Sequence, residues 1–89
     1  MLRAGIIGLG VGEAHIAGYQ SHPQCSVVAL CDFADDKLEM ARSKYPAMRV
    51  TAEANDILDD PNIDLVSIAS FDNYHHDQII RALEHNKHV

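Results

Sequence analysis

One stretch of the sequence decides the fold: GLGVGE, residues 8–13. It follows Leu2–Ile7 (LRAGII), an apolar run with β-branched residues that is typical of a buried parallel strand. It precedes Glu13–Ser21, whose apolar residues have helical spacing, and His22-Pro23 ends that helix. The sequence therefore predicts a strand, a glycine-rich turn over Gly8–Gly12 and a helix, in that order.

The rest of the chain alternates between the same two kinds of element. Further strands are predicted at Cys25–Cys31, Arg49–Thr51, Asp64–Ala69 and, as first residues only, Lys87–Val89. Further helices are predicted at Asp35–Tyr45, Ala54–Leu58 and Tyr74–Asn86, the last with Ile79, Ile80 and Leu83 facing the core. Strands that alternate with helices predict an α/β fold, in which a parallel sheet carries helices on both faces.

Length and charge restrict the class of protein. The chain has 89 residues, 47% of them hydrophobic, which indicates one globular domain. Its 13 acidic and 7 basic residues give a net charge of −6, so we expect neither nucleic acid nor an anionic membrane as a partner. The apolar run near the start is broken by glycines and lacks a secretory signature. We therefore expect a cytoplasmic protein.

The cysteines and histidines predict no site of their own. Cys25 and Cys31 on one strand would have Cα atoms roughly 20 Å apart, and a disulfide needs less than about 7 Å. We expect both to be buried free thiols. The six histidines show no metal-binding spacing, so no metal site is predicted.

The glycines suggest a phosphate-binding turn. Glycine accepts a positive φ and has no Cβ to keep a phosphate from the backbone. The helix that follows offers free N–H groups and a partial positive charge to a pyrophosphate. A tight turn without a ligand is the alternative interpretation of the glycines alone.

Asp32 supplies a second element of the same constellation. It lies 22 residues after Gly10 and directly after the second strand. This is the place of the acidic residue that accepts a hydrogen bond from an adenosine ribose 2′-hydroxyl. An aspartate that merely starts a helix or turn is the alternative. Together with the glycine turn, Asp32 predicts a Rossmann-type dinucleotide-binding unit.

The residues around Asp32 favour NAD over NADP. A carboxylate there repels a 2′-phosphate, and residues 33–36 include no arginine to hold one, so Lys37 is the nearest cation. The fingerprint has one departure, because Glu13 stands where the third glycine of G-x-G-x-x-G belongs and Gly12 comes one residue early.

With these residues placed, the chain resembles the N-terminal domain of the Gfo/Idh/MocA oxidoreductases, which include glucose–fructose oxidoreductase and inositol dehydrogenases. The resemblance rests on GIIGLG (5–10) with His15, Cys31-Asp32, DLVSIAS (64–70) with His75, and ALEHNKHV (82–89). The chain departs from the family at Ser70-Phe71, where the family has Thr-Pro, and at Asn86, where the family has glycine.

The resemblance implies a second group of cofactor contacts after the fourth strand, and it places His15 behind the glycine turn. The candidate cofactor-binding residues are Gly8, Gly10, Val11, Gly12, Asp32, Phe33, Ser70, Phe71, Asp72, Asn73 and His75. No catalytic residue is assigned. In the family a Glu-Lys-Pro motif with a catalytic lysine follows Lys-His-Val, and the substrate domain follows that motif.

We therefore expect residues 1–89 to be a fragment of an NAD(P)-binding Rossmann domain that is incomplete at its C-terminus. Its fourth strand would lie at an open edge of the sheet, and the fragment alone would be inactive. The parent would be an NAD-dependent dehydrogenase that transfers hydride between the cofactor and a sugar, polyol or related hydroxyl substrate, which the missing domain would bind. A non-catalytic nucleotide-binding or regulatory module is the alternative, and a homo-oligomer stays open.

Overall fold

The computed structural model describes residues 2–69, 72–85 and 87–89, without the side chains of residues 11–14 and 72–76. Strands and helices alternate along the whole chain. The elements are β1 (Leu2–Ile7), α1 (Leu9–Gln20), β2 (Cys25–Cys31), α2 (Asp35–Lys44), β3 (Arg49–Thr51), α3 (Asn55–Leu58), β4 (Leu65–Ile68) and α4 (Asp72–Glu84).

The four strands form one parallel sheet in the order β3-β2-β1-β4. This is the predicted Rossmann-type arrangement, with β1 at the centre between β2 and β4. Beyond β4, His88 forms a single parallel bridge with Leu65, in the segment where the first residues of a fifth strand are predicted. At the carboxyl end of β4, Ile68 pairs with Ile7 of β1 and with no other strand among the described residues.

Helices cover both faces of the sheet, and each face has its own apolar core. Alternate residues of β1 point to opposite faces, since Ala4 and Ile6 join one core while Ile7 joins the other. The first core lies under α1 and α2 and contains Ala4, Ile6, Leu9, Ile16, Val27, Leu30 and Ala41. The second lies under α3 and α4 and contains Ile7, Ala29, Cys31, Ile57, Leu58, Ile63, Val66 and Ala82.

A register shift in β2 decides where the cysteines lie. Ala4 pairs with Val27, but Gly5 pairs with Ala29, so Val28 is an extra residue in the ladder. Cys25 therefore packs with the first core and Cys31 belongs to the second. Both are free thiols, as predicted, although Cys25 is only half-buried.

The start of α1 corrects the sequence prediction. We predicted a turn over Gly8–Gly12 and a helix from Glu13, but the helix begins at Leu9. Glycine is a poor helix former, by about 1 kcal/mol against alanine, which is why the pattern favoured a turn. Burial of Leu9, 1% exposed, and a hydrogen bond to its amide hold the earlier start.

The orientation of α4 corrects a second prediction. Ile80 is 42% and Leu83 59% exposed, so these two residues do not face the core as expected, while Ile79 is half-buried. The buried face contains Gln78 and Ala82. Ala82 belongs to the second core, and the prediction went wrong because it placed the largest apolar residues inside.

The other helices lie close to their predicted bounds. α2 ends one residue before the predicted Tyr45, and α3 begins one residue after Ala54. α4 begins two residues early and ends at Glu84, where the amide of Lys87 donates to the carbonyl of Ala82 at 3.0 Å and closes the helix. No helix among the described residues has the length and apolar character to cross a bilayer.

Candidate functional site

The carboxyl ends of three strands meet beside Gly8. The amide of Gly8 donates to the carbonyl of Cys31 at 2.9 Å, which joins the end of β1 to the end of β2. On the other side the amide of Ala69 donates to the carbonyl of Ile7 at 2.8 Å. The helices that follow β1 and β4 go to opposite faces of the sheet. This edge is therefore the point at which doubly wound sheets open a ligand crevice.

Gly8 makes the sharp change from strand to helix. Its φ is 90° and its ψ is 96°, a conformation that side chains with a Cβ rarely adopt. It occupies the cap position of α1 and offers no side chain to the free amides of the first turn. The predicted turn is thus reduced to one residue, and Gly10, Val11 and Gly12 lie inside the helix.

Asp32 takes the capping role that Gly8 cannot perform. Its Oδ2 accepts a hydrogen bond from the amide of Leu9 at 2.8 Å, so a residue after β2 caps the helix after β1. Its Oδ1 accepts a hydrogen bond from the amide of Ala34 at 2.9 Å, directly before α2. The half-buried carboxylate therefore joins the starts of two helices. The structure thus shows the capping role of the alternative interpretation, and the ribose contact of Asp32 stays a prediction.

Gly10 has no packing reason to be glycine. It is exposed, and a Cβ built on it would meet no heavy atom of the described chain within 4 Å. Gly18, two turns later in α1, shares this property but lies towards the amino ends of the strands, near Leu2 and Leu65. At Gly5 the opposite holds, because a Cβ would come within 2.5 Å of Ile57 Cγ2. Gly5 thus serves packing, whereas Gly10 leaves open space at the helix start.

Phe33 directly follows Asp32 and is 53% exposed at this edge. The residues predicted after β4 are described less fully. Ser70 and Phe71 lie outside the described residues. Asp72, Asn73 and His75 form the first turn of α4, of which the backbone alone is described. The backbone thus brings the start of α4 to the β4 end of the crevice, and the structure leaves the side-chain predictions there untested.

His15 connects α1 to β4 behind the glycine turn. Its Nδ1 lies 2.7 Å from Oγ of Ser67, which is 9% exposed. The bond joins the helix on one side of the crevice to the strand on the other. It agrees with the structural place that the resemblance implied for His15. Ser67 was missed, and its position opposite His15, which is itself exposed, could not be read from one sequence.

Burial makes the thiol next to Asp32 unreactive. Desolvation raises the pKa of Cys31 from 9.0 to about 12, and the negative charge of Asp32 adds to this effect. A protonated thiol at neutral pH is a poor nucleophile and a poor metal ligand. Among the described residues, no three His, Cys, Asp or Glu side chains form a group that could hold a metal ion.

Lys87 was given no role from the sequence, yet it is 4% exposed. Its ammonium donates to the carbonyls of Asp60 and Ile63, the latter at 2.9 Å, in the segment before β4. Its place in the Lys-His-Val stretch was the available signal. The contacts lie at the amino end of the sheet, so Lys87 holds the fold and does not belong to the crevice.

Comparison with known proteins agrees with this geometry. The Gfo/Idh/MocA oxidoreductase family, with an NAD-binding Rossmann fold, matches residues 2–89. Myo-inositol 2-dehydrogenase of Thermotoga maritima is 28% identical over 89 residues, which are 99% of this chain and 27% of that protein.

Solved structures give the same result. A probable dehydrogenase from Thermotoga maritima superposes with a TM-score of 0.91 at 29% identity, over 99% of this chain and 27% of that one. A scyllo-inositol dehydrogenase from Lactobacillus casei, solved with NAD(H) and scyllo-inositol, gives 0.85 at 28% identity, over 100% and 27%. The chain thus spans little more than a quarter of the length of these relatives. It belongs to the Gfo/Idh/MocA oxidoreductase family and has that family's NAD-binding Rossmann fold.

Proposed function

We propose that this chain is the cofactor-binding part of an NAD-dependent dehydrogenase, and that it holds NAD(H) at the crevice beside Gly8. The observation that carries the proposal is the juxtaposition of an open helix start at Gly10 with the Asp32 carboxylate at the same strand edge. Family membership supports the ligand class, and one relative was solved with NAD(H) bound.

The pyrophosphate would lie on the first turn of α1. The first N–H groups of a helix have no carbonyl one turn earlier to bond. In α1 the Asp32 carboxylate already accepts the N–H of Leu9. The amides of Gly10 and Val11 are left to face an anion, at the positive end of the helix dipole, and Gly12 lies one residue further into the helix. The absence of a Cβ at Gly10 lets a phosphate come close to the backbone.

Asp32 would hold the adenosine ribose. A carboxylate has about four acceptor sites, and the two described amide bonds use two of them. The two that remain suit the two hydroxyls of a ribose and oppose a 2′-phosphate. This is the reason for proposing NAD in preference to NADP. Phe33 would border the adenine, and Ser70, Phe71, Asp72, Asn73 and His75 would border the other end of the cofactor.

The bound nicotinamide supplies hydride transfer to and from a substrate carbon. We propose a sugar, polyol or related hydroxyl compound as the substrate of the whole protein, since two relatives act on inositols by name. A further domain of the parent would bind that substrate, so the chain by itself would be inactive. We propose a cytoplasmic location.

Calorimetric titration with NADH and NADPH tests the proposal. Wild-type chain should bind NADH more tightly than NADPH. Gly10→Ala should weaken NADH binding about tenfold, since a methyl group would occupy the phosphate's approach. It should also stabilise the helix by about 0.5–1 kcal/mol, because alanine is the better helix former.

Gly18→Ala is the matched control in the same helix. It too adds a methyl group to open space and should give a similar gain in stability. Its affinity for NADH should equal that of wild type. Equal affinity of both alanine variants, or a folded wild-type chain that binds neither nucleotide, would contradict the proposed site.

A further inference from the structure

The hydrogen bond between His15 and Ser67 crosses a groove that packing leaves open. The groove lies between α1 and β4, has a volume of about 450 Å³, and is lined mostly by apolar surface, including that of Leu2, Tyr19 and Leu65. His15 is exposed on the helix side, and Ser67 is buried on the strand side. In the part of the chain that the structure describes, no other hydrogen bond joins α1 to β4. With open space beside it, this contact limits how far α1 can tilt from β4.

The other side-chain hydrogen bonds between α1 and the sheet, within the described ranges, lie on the side of β2. At the start of the helix, Asp32 accepts the amide of Leu9. At its end, Oε1 of Gln20 accepts the amide of Val27 at 3.1 Å. Two attachments on one side leave a helix free to pivot about the line that joins them, and a third attachment on the other side opposes that motion. His15 supplies the third attachment, to β4.

We propose that His15 is a positioning residue for the cofactor, and that its bond to Ser67 sets the separation between the first turn of α1 and the carboxyl end of β4. The inference rests on the proposed function, in which the pyrophosphate lies at the first place and the nicotinamide end of NAD(H) reaches the second. A ligand that contacts both places must match their separation. A ligand that contacts α1 and Asp32 alone need not.

The bond is close enough to both places to control that separation. His15 lies five residues after Gly10, which is about 7.5 Å along a helix axis. A tilt of roughly 4° over that length moves a group by about 0.5 Å, which is the tolerance of a precise binding constellation. Ser67 lies two residues before Ala69, whose amide donates to the carbonyl of Ile7 at the strand edge. His15 therefore acts through the helix that it holds.

The contact needs a polar atom at the position of Nδ1 and no charge. The serine hydroxyl can donate or accept, so the pair forms with either neutral tautomer of the imidazole. Asparagine carries its amide group on the same carbon, Cγ, that carries Nδ1 in histidine. His15→Asn can therefore keep the bond to Ser67, whereas His15→Leu removes it.

The test compares NADH with ADP, which has the adenosine and the diphosphate but no group to reach β4. In calorimetric titrations, Ser67→Ala and His15→Leu should each bind NADH roughly five- to tenfold more weakly than wild type. Both should bind ADP within about twofold of the wild-type affinity. His15→Asn should bind NADH as wild type does. A merely structural role would change both affinities alike, or neither.

Ser21→Ala is the matched control, because it also removes a serine hydrogen bond from α1. Oγ of Ser21 donates to the carbonyl of Gly18 at 2.8 Å, at the end of the helix. This bond does not reach β4, so the affinities for NADH and ADP should both equal those of wild type.

Three results would overturn the positioning role and leave the proposed function standing: equal losses for NADH and ADP, unchanged NADH affinity in Ser67→Ala and His15→Leu, or a loss in His15→Asn as large as that in His15→Leu. A folded wild-type chain that binds neither NADH nor ADP would contradict the proposed function and the positioning role together.

Discussion

Two aspartates make the same kind of bond at opposite ends of β1. At the amino end, Oδ2 of Asp64 accepts the amide of Arg3 at 3.0 Å, from the β4 side. At the carboxyl end, Oδ2 of Asp32 accepts the amide of Leu9 at 2.8 Å, from the β2 side. The bond types match, yet their surroundings differ.

The bond of Asp64 is one of several between strands. Its own amide donates to the carbonyl of Arg3 and its carbonyl accepts from His88, each at 2.9 Å. Asp32 instead lies at the edge where a helix starts and Gly10 leaves open space. A capping carboxylate therefore indicates a binding role only where the backbone around it is open, and parallel sheets are open at their carboxyl ends.

The largest expected loss of stability is at the amino end. Lys87→Met removes an ammonium that serves two carbonyls in a nearly buried position, and should lower the free energy of unfolding by about 2–3 kcal/mol. NADH affinity of the folded fraction should not change. Lys44→Met, at an exposed lysine over the Tyr45 ring, is the control and should cost less than about 1 kcal/mol in urea unfolding.

The second largest loss of stability is expected on substitution of Asp64 or Asp32. Asp64→Ala frees the amide of Arg3 and Asp32→Ala frees those of Leu9 and Ala34, and each change should lower stability by about 1–2 kcal/mol. Only Asp32→Ala should also weaken NADH binding, since Asp64 lies at the far end of β1. Parallel losses of affinity in both variants would show that the two ends do not differ as described.

The buried thiol of Cys31, at the carboxyl end of β2, should make stability depend on pH. Its pKa in the folded chain is raised to about 12 from 9.0, so the unfolded chain loses the thiol proton first as pH rises. Stability should therefore fall as pH rises above 9, by less than about 1 kcal/mol near pH 9.5. Cys31→Ala should lack this component. Identical pH slopes for both proteins between pH 8 and 9.5 would contradict the burial of the thiol.

The smallest effect concerns an ion pair on the surface, between Arg81 and Asp59. The Arg81 guanidinium makes two hydrogen bonds of 2.7 Å to Asp59 and lowers the pKa of that carboxyl. Its small stabilising effect is present above the ordinary pKa of aspartate and is lost as pH falls through the lowered value. Arg81→Ala should flatten thermal stability between pH 5 and pH 3 slightly, and added salt should abolish the difference.

Strand bounds could be predicted because apolar runs in a parallel sheet are continuous and end at turn residues. β1, β2 and β3 have the bounds that the sequence predicted. Asp32 was found because its distance from the glycines is a property of the chain itself. The fold class and the edge at which the candidate site lies could therefore both be predicted from the sequence.

The features that could not be predicted from the sequence depend on tertiary contacts. The early start of α1 depends on a carboxylate 23 residues away, so local helix propensity favoured a turn instead. The exposure of Ile80 and Leu83 depends on which face of α4 packs on the sheet, and that face contains Gln78 and Ala82. The bulge at Val28 places Cys25 and Cys31 against different cores, and a regular alternation would have placed them together.

The most direct test of the account is an NMR titration of the ¹⁵N-labelled chain with NADH, which follows the amides at both ends of β1. The account predicts shifts at Gly8, Leu9, Gly10 and Ala34, and none at Arg3 or His88. Shifts confined to the amino end, or a folded chain in which no amide moves at millimolar NADH, would contradict it.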